Sequence, residues 1–313
     1  LCVLPPDADI GELLEQCRYY LNNEPAPNWR KKNIFFGENR RRGKIGFVFP
    51  GQGSQDAHMG ADLLHCCTES RNLLRQAEAA LSQPNQPNQP EQTNQLHSRM
   101  YPPPAKGKAE QKAQEEPLRQ TQWAQPAIGV MSLIMLDLLS RFSVFPDAVC
   151  GHSYGELTAL HAAGRMERDD FFRLSAARGR LMAEAARQGD AGRMMAVKTP
   201  IEKIPELIAA HGLDLILANR NGPDQGVLSG PSGEIEKMLA ICRENHIRAL
   251  QLPVSAAFHS RLVESAARPF RQALETVAFK PSDTPVYANT TGEPYPQEAD
   301  SARELLGRHL LNP

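Results

Sequence analysis

Gly-His-Ser-Tyr-Gly at 151–155 sets a serine between two glycines in the pattern G-x-S-x-G. A serine hydroxyl is a weak nucleophile unless a sharp turn holds it out beside a base and donors for the developing oxyanion. The flanking residues supply such a turn: DAVC (147–150) reads as a strand and ELTALHAAG as a helix. Glycines at 151 and 155 permit the tight bend and close approach of that helix. The backbone N–H of Tyr154 would face the oxyanion, with the positive end of the helix behind it. The plain alternative is a serine in an ordinary strand-to-helix turn. The base must be one of nine histidines. His152 adjoins the serine and should point away from the elbow, while His58, His65, His97 and His211 sit in polar or loop surroundings. His161 lies on the helix after the elbow and His246 near the end of a later unit. His259, in PVSAAFHSRLV, stands out because it follows a strand and a turn, although spacing leaves the others open.

The elements that must position these residues are legible from periodicity. KIGFVFP (44–50) reads as a buried strand stopped by Pro50. AQPAIGVMSLIMLDLLSRF (124–142) is apolar almost all round, as a buried core helix is, and too short to convince as a membrane span. DDFFRLSAARGRLMAEAARQ (169–188) is an amphipathic helix. Residues 193–254 read strand, helix, strand, strand, helix, strand. That order is a ferredoxin-like βαββαβ unit. Pro205 falls in a first helical turn and Gly212 where a helix cap is wanted.

Residues 1–43 read as a linker module with a short helix, a break at the prolines of EPAPNW and one edge strand at IFF. Arg30, Lys31, Lys32, Arg40, Arg41 and Arg42 flank that strand as a solvated connector rather than a nucleic-acid surface. Residues 82–120, with QPNQPNQPEQTNQ and three prolines at 102–104, read as a surface insertion without regular structure.

The chain has 313 residues, enough for about two domains. With 41% hydrophobic and 23% charged residues it can build a real core, which excludes a wholly disordered chain. A net charge of −1 gives no global field toward nucleic acid or an anionic membrane. Six cysteines (Cys2, Cys17, Cys66, Cys67, Cys150, Cys242) form no CxxC pair, which argues against a disulfide framework or a zinc site and suits the cytoplasm. No ligand-spaced cluster calls for a metal.

FPGQGSQ (49–55), QPAI (125–128), GHSYGEL (151–157), ARGRLM (177–182), ANRNGPDQGVLSG (218–230) and AAFHS (256–260) occur in one order. Together they resemble the malonyl-CoA:acyl carrier protein transacylases and the acyltransferase domains of polyketide and fatty acid synthases, from about residue 44 onward. The tyrosine of GHSYGEL and the segment before QPAI resemble the acyltransferases of polyunsaturated fatty acid and iterative polyketide synthases. The resemblance implies that Ser153 is the nucleophile and His259 its base. It implies that a backbone carbonyl, here that of His309, orients the histidine in place of a carboxylate. The N–H groups of Gln52 and Tyr154 would form the oxyanion hole. Arg178 would pair with the free carboxylate of malonyl, and Gln125, Asn221 and Gln225 would line the pocket, the latter two from a loop. Phe258 would crowd an added α-methyl group, although AAFH replaces the HAFH of the malonyl-selective polyketide pattern.

A buried carboxylate needs a guanidinium partner, and an acetyl group would leave Arg178 buried without one. Read without the resemblance, Arg178 is an ordinary surface arginine on a helix that also carries Arg173, Arg180 and Arg187.

The expected fold is α/β: a hydrolase-like core with a mostly parallel sheet (44–192 and 255–313) and an inserted ferredoxin-like small domain (193–254). The resemblance also implies further core segments beyond Pro313, so that the core of this chain would be incomplete at its C-terminal end. The expected activity is transfer of malonyl from malonyl-CoA through a seryl ester to the phosphopantetheine thiol of an acyl carrier protein, with no bound cofactor. A ketosynthase and other synthase domains are the implied neighbours; Arg220 and Arg248 are candidate docking residues for an acidic carrier. A serine esterase or thioesterase, or a non-catalytic scaffold domain, are the alternatives. Hydrolases of this type carry an HGGG-like loop that the sequence lacks.

Overall fold

The computed structural model describes residues 9–26, 28–31, 34–37, 43–81, 95–187, 190–254 and 257–312. Cys2, Lys32, Arg40, Arg41, Arg42, the low-complexity stretch 82–94, Ala256 and Pro313 lie outside the described residues. The chain divides into two compact units, Leu1–Lys44 and Ile45–Pro313.

In the first unit the helix Ile10–Asn23 begins at Asp9, whose carboxylate accepts from the N–H groups of Gly11 and Glu12 and satisfies two donors the helix leaves open. Strands β1 (Asn28–Lys31) and β2 (Ile34–Gly37) form an antiparallel pair, so the expected single edge strand is a hairpin. Rings explain the pairing: Trp29 stacks on Phe36 at 5.3 Å and meets Tyr20 at 5.7 Å.

The second unit contains β3 (Gly46–Phe49), β4 (Ala148–Gly151), β5 (Arg193–Lys198), β6 (Ile216–Gly222), β7 (Gln225–Gly230), β8 (Arg248–Gln251) and β9 (Val286–Tyr287). Strands β3, β4 and β9 form a parallel sheet in that order. The helices Thr121–Arg141, Gly155–Ala162, Arg168–Ala185, Glu264–Glu275 and Ala299–His309 contribute the buried side chains that pack with it, giving an α/β fold.

β3 is not the buried strand its composition suggests. Among the described residues it pairs only with β4, and Val48 is 73% exposed while Phe49 alone of the strand is buried. A parallel strand of continuous apolar residues reads as covered on both faces, but an outer strand has a neighbour on one side only.

The segment 82–120 is likewise not an irregular insertion where it is described. Gln95–Met100 and Lys108–Arg119 are helices, and Leu96, Met100 and Leu118 are at most 1% exposed. Three apolar side chains spaced among many polar ones anchor the segment, and composition averages conceal them. The Tyr101 hydroxyl adds a 2.9 Å bond to the Met59 carbonyl. Thr121–Arg141, at 21 residues, is long and apolar enough to cross a membrane by length and composition, but 61% of its most apolar 18-residue window is buried inside the protein.

Strands β5 to β8 form an antiparallel sheet ordered β6-β7-β5-β8. Ile204, from Lys203–Ala210, and Ile235, Met238 and Cys242, from Ser232–Glu244, pack with Met195, Val197 and Leu228 as a separate core. Gly212, at φ +60°, ends the first of these helices in the left-handed region that glycine tolerates.

Candidate active site

β4 runs into the elbow. His152 N–H donates to the Phe49 carbonyl at 2.9 Å, Gly155 N–H to the His152 carbonyl at 2.9 Å, and Ser153 is held at φ +48°. That left-handed backbone is strained for a residue with a side chain. Glycines allow it: a Cβ on Gly151 would lie 2.0 Å from the Gly155 carbonyl carbon, and one on Gly155 2.2 Å from the Phe49 oxygen. Ser153 therefore stands at the mouth of the helix Gly155–Ala162, above the carboxyl end of the sheet.

His259 arrives from the segment after β8 and is itself at φ +56°. The Ser260 hydroxyl donates to the Ala257 carbonyl at 2.6 Å, which fixes the turn. Ser153 Oγ lies 2.8 Å from His259 Nε2, and His259 Nδ1 lies 2.9 Å from the His309 carbonyl oxygen. A carbonyl only accepts, so Nδ1 carries the proton and Nε2 presents a lone pair to the serine. Burial holds His259 well below the ordinary imidazole value, with His309, Arg178 and His152 pushing the same way. The ring is a neutral base at neutral pH.

Arg178, on the helix Arg168–Ala185, is 3% exposed, and its Nη2 has no hydrogen-bond partner. Burial lowers it to about 10, opposed by Tyr154 and Glu156. The surface-arginine alternative is thereby excluded. One turn further along, Met182 receives the Gln125 amide at 3.4 Å, and Gln125 Oε1 is also buried without a partner. An unpaired guanidinium nitrogen and an unpaired amide oxygen are costly inside a protein. A buried guanidinium nitrogen left open in this way can receive an acceptor from outside the chain.

The Tyr154 hydroxyl pairs with Ser175 Oγ at 2.6 Å, tying the elbow to the arginine helix. Gln52 donates its side-chain amide to Thr121 Oγ1 at 3.1 Å and to the Arg119 carbonyl. Among the described residues, neither the Gln52 nor the Tyr154 backbone N–H finds a protein acceptor. Asn221 Oδ1 meets His152 Nε2 at 3.0 Å, so the β6–β7 hairpin reaches the elbow. Asn221 and Gln225 lie on strands rather than in a loop, and Gln225 is exposed with no described contact to Ser153. Phe258 is buried next to His259, and Arg220 and Arg248 are exposed. No group of three His, Cys, Asp or Glu side chains among the described residues could hold a metal ion.

Three residues escaped sequence reasoning. Asn289 Oδ1 accepts the Ser153 N–H at 3.0 Å, Glu156 is fully buried behind the elbow, and the Tyr295 hydroxyl donates to it. A carboxylate at the head of the apolar stretch ELTAL was the one available signal.

The acyl transferase domain family matches residues 46–310. The chain is 31% identical over 268 residues to the malonyl CoA-acyl carrier protein transacylase of Bacillus subtilis, covering 84% of this chain and 78% of that protein. It is 28% identical to one subunit of the polyunsaturated fatty acid synthase of a Thraustochytrium species, covering 86% of this chain but 9% of that one. Among solved structures, it is similar to a malonyl-transacylase in complex with a type II polyketide synthase acyl-carrier protein. That match has a TM-score of 0.74 and 30% identity, with 87% and 82% of the two chains covered.

Proposed function

The chain belongs to the acyl transferase domain family, and from that premise we propose that it moves malonyl from malonyl-CoA through an ester on Ser153 to the phosphopantetheine thiol of an acyl carrier protein. The observation that carries this reading is the buried Arg178, whose Nη2 has no partner among the described residues and whose charge acts on His259 of a serine–histidine pair at 2.8 Å. Ser153 Oγ bonds to the thioester carbonyl carbon while His259 Nε2 takes the hydroxyl proton. The Gln52 and Tyr154 N–H groups receive the charge on the carbonyl oxygen. Collapse breaks the carbon–sulfur bond, and the proton on His259 passes to the departing CoA thiolate. In the second half the carrier thiol gives its proton to His259 and attacks the ester carbon. The ester bond breaks and Ser153 Oγ regains a proton. The His309 carbonyl holds the imidazole in one tautomer throughout.

Arg178 supports selectivity in two ways. Its guanidinium pairs with the malonyl carboxylate, whereas an acetyl group leaves it buried and unpaired. Its charge also suppresses protonation of His259, and a bound carboxylate relieves that suppression. Phe258 crowds the space an α-methyl substituent would take, and Gln125 closes the pocket beside Met182.

The finer architecture supports the same reading. The strand order β6-β7-β5-β8, with both helices contributing to one core, supports reading 193–254 as a ferredoxin-like unit inserted in the α/β core. Its hairpin carries Asn221 to the cleft. Similarity to a small part of a much longer synthase chain fits a neighbour role beside ketosynthase and other domains. The unbridged thiols of Cys66, Cys67, Cys150 and Cys242 suit a reducing compartment, so we assign the chain to the cytoplasm.

Intact-mass spectrometry after mixing with malonyl-CoA tests the proposal. A malonyl adduct is expected on the wild-type chain, none on Ser153→Ala, and a yield on the order of a hundredfold slower on Arg178→Ala. Malonyl passing to water as fast as to holo-carrier protein would turn the assignment toward a hydrolase.

A further inference from the structure

A second set of buried polar groups lies behind the reacting pair, and no step above uses it. Glu156 is fully buried, three residues beyond the nucleophile. One carboxylate oxygen accepts the Asn289 backbone N–H at 2.6 Å and also its side-chain amide. The same Asn289 amide group donates to the Gly151 carbonyl at 2.6 Å, and its oxygen accepts the Ser153 N–H. The other Glu156 oxygen accepts the Tyr295 hydroxyl and stands 3.6 Å from His309 Nδ1. The His309 ring in turn packs on the His259 ring at 5.1 Å, while its backbone carbonyl takes the His259 Nδ1 proton. Burial keeps His309 neutral, with a value pushed down to about 3.

One carboxylate thus reaches both halves of the site by separate arms. Through Asn289 it holds Gly151 and Ser153 of the elbow. Its other oxygen, filled by the Tyr295 hydroxyl, packs 3.6 Å from the ring of His309, the residue whose carbonyl orients the base. We propose that Glu156 is a positioning residue that fixes Ser153 Oγ and His259 Nε2 at reacting distance, acting through Asn289 and His309. It does not bond to His259 and is not a displaced triad acid, because the His309 carbonyl already occupies Nδ1. Its function is geometric: elbow and base come from segments 106 residues apart in sequence, and an error of an ångström between them is costly to the rate. Glu156 is suited to the task because both of its oxygens have partners, one accepting from Asn289 and the other from Tyr295.

The inference rests on Ser153 and His259 as the reacting pair, and the controls keep the two apart. Glu156→Gln preserves shape but offers an N–H where a donor already points. Its acylation rate with malonyl-CoA, read by rapid-quench mass measurement, is expected to fall ten- to hundredfold. KM for malonyl-CoA should rise much less than the rate falls, since Arg178 stays in place and loses only the nearby Glu156 charge. If Glu156→Gln does not fold, Asn289→Ser and Tyr295→Phe test the two arms singly. Each should lower the rate with little change in KM, and the double variant should lose less than the product of the two single losses, as members of one network do. A folded Glu156→Gln, or folded single-arm variants, acylating at the wild-type rate overturns the inference. So does a rise in KM that matches the fall in rate. A wild-type chain that forms no adduct overturns the parent reading instead.

Discussion

At the scale of single residues, the site works by leaving two polar groups unsatisfied and one base unprotonated. Arg178 Nη2 and Gln125 Oε1 are the unsatisfied atoms among the described residues, and the proposed function pairs the guanidinium with the malonyl carboxylate. His259, the proposed base, is depressed first by burial and then by His309, Arg178 and His152. The sign of each effect gives a prediction. The acid limb of kcat/KM reports the free enzyme and should fall well below pH 6.5, the ordinary value for histidine. The acid limb of kcat, read with malonyl bound, should sit at higher pH because the carboxylate cancels the Arg178 charge. Arg178→Ala should raise the free-enzyme limb and bring the two together. Profiles measured with malonyl-CoA from pH 4 upward check this, and identical limbs in the wild type would count against electrostatic coupling. The serine and the histidine were legible as types, one from G-x-S-x-G and the other from its place after a turn. Asn289 and Glu156 were not, because a buried hydrogen-bond partner carries no spacing rule.

At the scale of elements, three pieces of backbone must pass close together, and glycine decides where. The elbow needs Gly151 and Gly155. A less obvious case is Gly129, in the middle of Thr121–Arg141, where a Cβ would lie 2.2 Å from the Tyr154 hydroxyl and 2.9 Å from Phe171 Cζ. Gly129→Ala is expected to destabilise the fold by about 1–3 kcal/mol, visible as a lower denaturant midpoint. Removing the clashing hydroxyl with Tyr154→Phe should recover part of that loss, and a strictly additive double variant would refute the contact as its cause. The long helices and the alternating pattern over 193–254 were readable, since burial on one face imposes a period. Two readings failed for one reason. β3 looked buried and 95–119 looked irregular because composition measures how apolar a stretch is, while burial depends on what the rest of the chain lays against it.

At the scale of the whole molecule, buried histidines tie stability to pH. His259 and His309 both have folded values below 6.5, so the unfolded chain binds more protons than the folded one as pH falls through that value. Stability should be level for these two groups above neutrality and decline below pH 6.5, by about 1.4 kcal/mol per pH unit for each imidazole. Glu156 acts in the opposite sense, since burial raises it and its protonation on acidification eases folding, but it is one group against two. His309→Gln should flatten the acid slope by about one proton, measured by denaturant titration at several pH values; an unchanged slope would remove His309 from the account. By itself the sequence determined the family, the serine elbow and the strand–helix order of 193–254, because motifs and periodicities are properties of neighbouring residues. Only the tertiary structure decided that Arg178 is buried with Nη2 open among the described residues and that Nε2 of His259 faces Ser153. It alone brought Glu156 behind both, since these facts depend on segments more than a hundred residues apart meeting within hydrogen-bond distance.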